Sequence, residues 1–333
     1  MAFGIASQES VNSQWTASQD SVASLGPTSQ ERGNAAAREH AAWEALGELK
    51  DWDSDGDNAY MQQASEILSR ILSAGRPEEV SAAITSLQIR PDRHVASPEA
   101  LSALLCPLLE ARTSREENCA RLVENTLLVH ILVLKSAPPR ALQACLEATI
   151  RARPRAVANG VTGSFLGRVL AGTHAPPAGE LRPQLQLVGL ALKAVSKASP
   201  DAVSEALEFG LATESNTTSK LSASAASVLQ LFVNLRPALS ESAVSRLLEL
   251  LTARAHELST EIAADPSKVS SCKDELNKYT TLVFATASKL GSQLLSSPLL
   301  ASLERAVVDP NLKGNMIGPA RKQLSSLLRK RAK

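Results

Sequence analysis

Four serines near the start of this 333-residue chain are each followed by glutamine: Ser7, Ser13, Ser18 and Ser29. Ser-Gln is the minimal site of the DNA-damage checkpoint kinases, which read little beyond the glutamine, so these residues offer phosphoryl acceptance. Each phosphate would add about −1.5 to −2 charges and three strong acceptor oxygens to a weakly charged segment. A kinase takes its substrate extended, and residues 1–36 suit that need, being rich in Ser, Gln, Asn, Ala and Gly without apolar periodicity. Such a segment buries too little apolar surface to offset its ordering entropy, which predicts a disordered tail. The dipeptides also recur by composition alone in a Ser/Gln-biased linker, and both readings stand on the sequence.

Two further groups invite chemistry. Asp51, Asp53, Asp55 and Gly56 imitate the opening of an EF-hand loop, where oxygens at alternate positions and a glycine at the sixth surround calcium. The twelfth position is Gln62, which lacks the bidentate carboxylate, and no second such loop follows, so an acidic helix-to-helix linker is expected there. The cysteines Cys106, Cys119, Cys145 and Cys272 form no CxxC pair and lie within helical patterns, which reads as reduced core thiols of an intracellular protein. The histidines are scattered singly, and His130, on an apolar stripe, is expected to be a hydrogen-bonded core residue. With no Gly-rich phosphate loop, HExxH or GxSxG motif, the reading is a protein without catalytic, cofactor-binding or metal-binding residues, and not an enzyme.

The elements that position these groups are helical. Aromatics make up only 3% of the chain while Leu, Ala and Ser dominate, which is poor material for a sheet and good material for packed helices. Helix starts recur as a small polar residue, a proline and an acid before an apolar run, as at Ser97-Pro98-Glu99 and Ser199-Pro200-Asp201. There Ser caps free N–H groups, Pro fills the first turn without losing a bond, and the acid complements the helix dipole. Variants stand at Arg76-Pro77, Pro138-Pro139 and Ser240-Glu241. From Pro98 to Pro139, and from Pro200 to Glu241, is 41 positions, close to the ~40–47 residues of HEAT and armadillo helix pairs. Predicted helices include 116–135, 139–152 and 241–263, the last with Val244, Leu247, Leu248, Leu251, Ala255 and Leu258 on one stripe. Residues 37–333 are therefore expected to form an all-α, HEAT/ARM-like helical-repeat solenoid, in which each pair buries its stripe against the next.

Lys and Arg total 35 against 34 Asp and Glu, so net charge argues for neither a nucleic-acid binder nor an acidic tail. The longest strongly apolar run, Leu127 to Leu134, is far below the ~20 residues of a membrane span, and no secretory signal is read at the N-terminus. The sequon at Asn216 is accordingly expected to stay unglycosylated. Met316 and Ile317, followed by Arg321 and Lys322, form an apolar pair with a basic rim, a candidate partner-docking surface. The same apolar pair also fits a staple of the last helix onto its neighbour. The basic end also fits a solvated last turn, a nuclear import signal, an acidic partner's docking site or a phosphate contact, although without interleaved aromatics direct nucleic-acid binding is not expected.

Two segments carry a family resemblance. One runs from Asn125 through Leu166, a leucine-rich helix, a small-residue turn at Ser136-Ala137-Pro138-Pro139 and a second helix. The other is the tail: Asp309-Pro310-Asn311, the apolar Met316 and Ile317, then Arg321-Lys322-Gln323-Leu324. Over roughly residues 97–330 the chain resembles the C-terminal domain of the Fanconi anaemia group E family, departing from it with extra residues between Asn311 and Arg321 and across 259–273. The resemblance implies a non-enzymatic, nuclear adaptor subunit of the Fanconi ubiquitin-ligase core complex, acting in interstrand DNA crosslink repair. Its implied partners are the group C subunit and the substrate that becomes monoubiquitinated. The alternative is a helical-repeat scaffold of another pathway, regulated or not by DNA-damage kinases.

Overall fold

The structure, a computed structural model, describes residues 57–87, 89, 97–175, 178–212, 221–265 and 267–332. The predicted tail 1–36 with Ser7, Ser13, Ser18 and Ser29, the Asp51–Gly56 loop and the Asn216 sequon lie outside these residues. Among the described residues every regular element is helical and none is a strand. The protein is all-α.

The local signals that start helices act as the sequence suggests. Ser97 begins α3 (Pro98–Glu110), its hydroxyl accepting from the Ala100 N–H at 3.1 Å, and Ser240 caps α12 (Glu241–Ala264) in the same way at 3.3 Å. Such caps contribute about 1 kcal/mol each. At α2 (Pro77–Ser86) Glu79 instead turns back onto the Arg76 N–H at 2.9 Å. Pro139 lies one residue outside α6 (Arg140–Ala152), as its cap. All six predicted stripe residues of α12 are buried.

Two stretches depart from plain α geometry. The predicted 116–135 helix is α4 (Glu116–Val123), a π segment π1 (Glu124–Leu128) and α5 (Val129–Leu132) in unbroken succession. Beyond Leu132 the chain turns, with the Leu132 and Leu134 carbonyls accepting from Gln184 Nε2 at 2.9 and 3.3 Å. Similarly, α7 (Pro154–Val157) runs into π2 (Ala158–Gly163) and α8 (Ser164–Leu170). The π2 glycines allow backbones to touch. A Cβ on Gly160 would stand 2.2 Å from the Ala120 carbonyl oxygen, and one on Gly163 2.8 Å from that of Ala206.

The remaining helices are α1 (Asp57–Ala74), α9 (Ala178–Ala198), α10 (Pro200–Ala212), α11 (Ala223–Asn234), α13 (Lys268–Ser271), α14 (Lys273–Lys289), α15 (Gly291–Leu294), α16 (Leu300–Val308) and α17 (Ile317–Arg331). They pack in two successions. In one, α1 lies against α3, then α3 against α6, α6 against α9, α9 against α11, α11 against α14 and α14 against α17. In the other, α2 lies against α4, α4 against α7 and π2, π2 and α8 against α10, α10 against α12, and α12 against α16. The buried side chains form one apolar core, with Phe165, Phe232 and Tyr279 the largest fully buried members. Burying each such ring or a leucine stabilises by about 1.5–3 kcal/mol relative to exposure.

Distant side chains tie successive helices through their open ends. Asn118 Nδ2 donates to the carbonyls of Leu72 and Gly75 at 3.1 and 3.0 Å, in the last turn of α1 and just beyond it, across 46 and 43 residues. Arg153 donates from Nε to Leu109 and from Nη2 to Ala111 at 2.6 and 2.7 Å, closing the end of α3 across 44 and 42 residues. Asn125 to Ser81 and Arg168 to Glu124 are also separated by 44. The last carbonyls of a helix lack intrahelical donors, so the bonds from Asn118 and Arg153 satisfy groups that would otherwise cost about 1–3 kcal/mol to bury.

Candidate partner-docking surface

The last helix carries the surface singled out in the sequence, and its residues divide by role. Ala320, Leu324 and Leu327 are buried, and Leu328 packs against the core from a half-buried position. Ile317 also packs against the core, while Met316, the cap residue, is half-buried. Ile317 thus acts as the staple, which reduces the apolar pair available to a partner.

Arg321 is tied down. Its Nε donates to the Val307 carbonyl at 2.9 Å, and its Nη2 donates to Asp309 at 2.8 Å and Leu312 at 3.4 Å. The guanidinium closes the end of α16 and orders the turn into α17, work that periodicity and composition do not reveal. Asp309 shares that turn, its carboxylate accepting from the Asn311 N–H at 2.9 Å. A hydrogen bond from Ser259, that N–H, and the nearby charges of His256 and Arg321 hold its carboxyl below the usual range. Arg331 donates to the Ser297 carbonyl at 2.8 Å. Lys322, Arg329 and Lys330 stay exposed, and they form the free basic rim of α17.

Charged side chains are also spent on joining helices elsewhere. Arg254, only 4% exposed, reaches Glu257 and Glu275 at 2.7 Å and Glu261 at 3.6 Å, joining α12 to α14. Burial opposes its charge, but the bond to Glu257 and the charges of Glu275 and Glu261 outweigh that and raise its pKa. Tyr279 beside it donates to the Leu251 carbonyl at 2.9 Å, and burial raises its phenol pKa. On π1, the buried Glu124 accepts from Arg121 at 2.7 Å and Arg168 at 3.2 Å.

Among the described residues, shallow grooves open at helix junctions. One of 710 Å³ lies between α3 and α6, lined by small and apolar residues such as Ala103, Pro107, Ala144 and Ala148, with Glu99 and Arg151 also on its walls. Another, of 510 Å³, is lined by Arg112, Arg153, Arg155, Glu110 and Glu116. Arg153 there is committed to carbonyls and Glu116, and Arg155 to Glu205 at 3.4 Å.

Cys119 and Cys145 are buried, and burial pushes both thiols up to about 11, whereas Cys106 and Cys272 are half-buried. His130 is buried, its Nδ1 at 3.1 Å from the Thr126 carbonyl, as expected of a core histidine. Among the described residues no three His, Cys, Asp or Glu side chains converge as metal ligands, and no helix is long and apolar enough to cross a membrane. Compared with protein-family models and with curated proteins, the chain matches none.

Proposed function

We propose that the chain is a HEAT/ARM-like helical solenoid that works as a non-enzymatic adaptor of the Fanconi ubiquitin-ligase core complex in the nucleus. The observation that carries the solenoid reading is the register of the cross-helix bonds. Asn118, Asn125, Arg153 and Arg168 each reach back 42–47 residues, Asn118 and Arg153 to carbonyls at the ends of α1 and α3, Asn125 and Arg168 to side chains on α2 and π1. A helix-pair repeat of ~40–47 residues gives that register, and the two successions of helices give its two layers. Stacked helix pairs present long surfaces for other proteins, which favours an adaptor over an enzyme.

The pathway rests on the resemblance, and the tail motif that carries it is one bonded unit. Asp309, Asn311 and Arg321 are joined through backbone and side-chain bonds, so the acid-Pro-Asn step and the basic residue form one local unit even with the extra residues between Asn311 and Arg321. On this reading the solenoid joins the group C subunit to the substrate that becomes monoubiquitinated. The test is affinity purification of the full chain from crosslinker-treated cells, with mass spectrometry of co-purifying proteins. Ubiquitin-ligase subunits of the crosslink-repair complex are expected. Their absence, beside a reproducible set from another process, would support a scaffold of another pathway.

A further inference from the structure

A basic ridge runs along one outward face of α9. Arg182, Gln186, Leu190, Lys193 and Lys197 follow at steps of four, four, three and four residues, which puts them on one side of the helix, and all five are exposed. At a rise of about 1.5 Å per residue the ridge is ~22 Å long. Leu190, near its middle, is 41% exposed. Beside it Gly189 has no side chain, and the half-buried Leu231 of α11 lies 3.8 Å from where a Cβ would stand. The apolar spot therefore extends from α9 onto its neighbour.

The cations of the ridge are uncommitted. Among the described residues none of Arg182, Lys193 and Lys197 forms an ion pair, and the ridge contains no acid. The helices of the same succession from α6 onward carry no net negative charge. Counting Lys and Arg against Asp and Glu, α6 carries +1, α9 +2, α11 zero, α14 +1 and α17 +5. In the other succession α2 carries −2, α10 −3 and α12 −2, with α7 and α8 at +1 each. From α6 onward the succession containing α9 is thus basic or neutral, while the acidic α10 packs against α9 from the other succession, so the positive potential is carried by the ridge and the helices of its own succession.

We propose that the α9 ridge docks an acidic, helix-forming segment of a partner protein, with one large apolar side chain seated on Leu190 and Leu231. The arrangement has an apolar anchor in the centre and cations toward both ends, so the anchor contributes contact energy and the rim steers association. A nucleic acid is the poorer fit, because the ridge has no aromatic side chain for base stacking and its centre is apolar. The inference does not depend on the repair pathway, since it rests on charge and exposure alone.

The test uses the full chain and a fluorescent synthetic helix of about eighteen residues, the ridge plus one turn, built from Glu and Ala with one central Leu. A second peptide has Gln in place of every Glu. The Glu peptide is expected to bind, more weakly as salt rises, and the Gln peptide to bind at least about tenfold more weakly. The triple variant R182Q/K193Q/K197Q, which keeps side-chain length and avoids new acids near the helix end, should lose a similar factor with an unchanged circular dichroism spectrum. Leu190→Ser should weaken binding several-fold at low and high salt alike. Equal binding of the two peptides, or wild-type binding by the triple variant, overturns the proposal. So does tighter binding of a DNA duplex that the same variant abolishes, or light scattering showing that the ridge instead joins copies of this chain.

Discussion

Replacing Gly160 by Ala is expected to destabilise the protein, whereas the same replacement at Gly189 stabilises it. Both glycines lie inside helical segments, where Ala is favoured over Gly by about 0.5–1 kcal/mol. At Gly189 a new Cβ meets only Leu231 methyl groups, at 3.8 and 3.9 Å, an ordinary contact, so the helical preference is realised. At Gly160 the nearest atoms are all backbone of Ala120: its oxygen at 2.2 Å, carbonyl carbon at 3.0 Å and Cα at 3.2 Å. No rotamer change relieves that clash, so α4 and π2 must separate by roughly an ångström, opening a close-packed contact. Overpacking of this kind costs about 1–3 kcal/mol, and the backbone contact puts Gly160→Ala toward the upper end. Net of the helical preference, a loss of ~1–2 kcal/mol is expected there, against a gain of ~0.5–1 kcal/mol at Gly189. Urea unfolding followed by helical circular dichroism measures both. A Gly160→Ala midpoint at or above wild type would refute the close approach of α4 and π2.

The tail offers a sharper pair. Arg321→Glu should lower the melting temperature by breaking three carbonyl contacts, while Lys322→Glu, on an exposed side chain, should stay within about 0.5 kcal/mol of wild type. Equal effects of the two would remove Arg321 from its structural role. Asn118→Ala leaves carbonyls at the C-terminal end of α1 without their donor and should cost about 1–3 kcal/mol in urea unfolding, with Asn118→Asp no better. For the thiols, a colorimetric reagent at neutral pH should modify Cys106 and Cys272 in the native protein and reach Cys119 and Cys145 only after denaturation. The folded pKa of the two buried thiols, about 11, exceeds the ordinary 9.0, so the unfolded chain ionises first. Their contribution is therefore complete below pH 9 and declines as pH rises toward 11, and Cys145→Ala should flatten that alkaline decline.

Much of the helical framework was legible because it is written in nearest neighbours. Ser97 before Pro98 and Ser240 before Glu241 mark starts through local capping, and the α12 stripe follows from a period of 3.6. The predicted end at Lys135 overran the observed Leu132, and the carbonyls of Leu132 and Leu134 find their donor in Gln184, about fifty residues on, which no local pattern reports. The π segments were invisible for a similar reason. π2 contains the close approaches at Gly160 and Gly163, and no local pattern reports which backbone a glycine will touch. In the candidate site, the apolar and basic residues of α17 were legible as types, but not the division between Arg321, bound to carbonyls, and Lys322, left in solvent. The α9 ridge was missed because an exposed Leu among cations resembles any solvated face until its neighbours are known. A run of basic residues at helical spacing with no acid between Arg182 and Lys197 was the available signal.

The claim that this chain is an adaptor for substrate monoubiquitination is tested most directly in cells from which it has been removed. After treatment with an interstrand crosslinker, the monoubiquitinated form of the repair substrate is measured by immunoblot, with and without re-expression of the full chain. The account predicts that the modified form is lost on removal and restored by re-expression. Normal monoubiquitination in cells lacking the chain would contradict it.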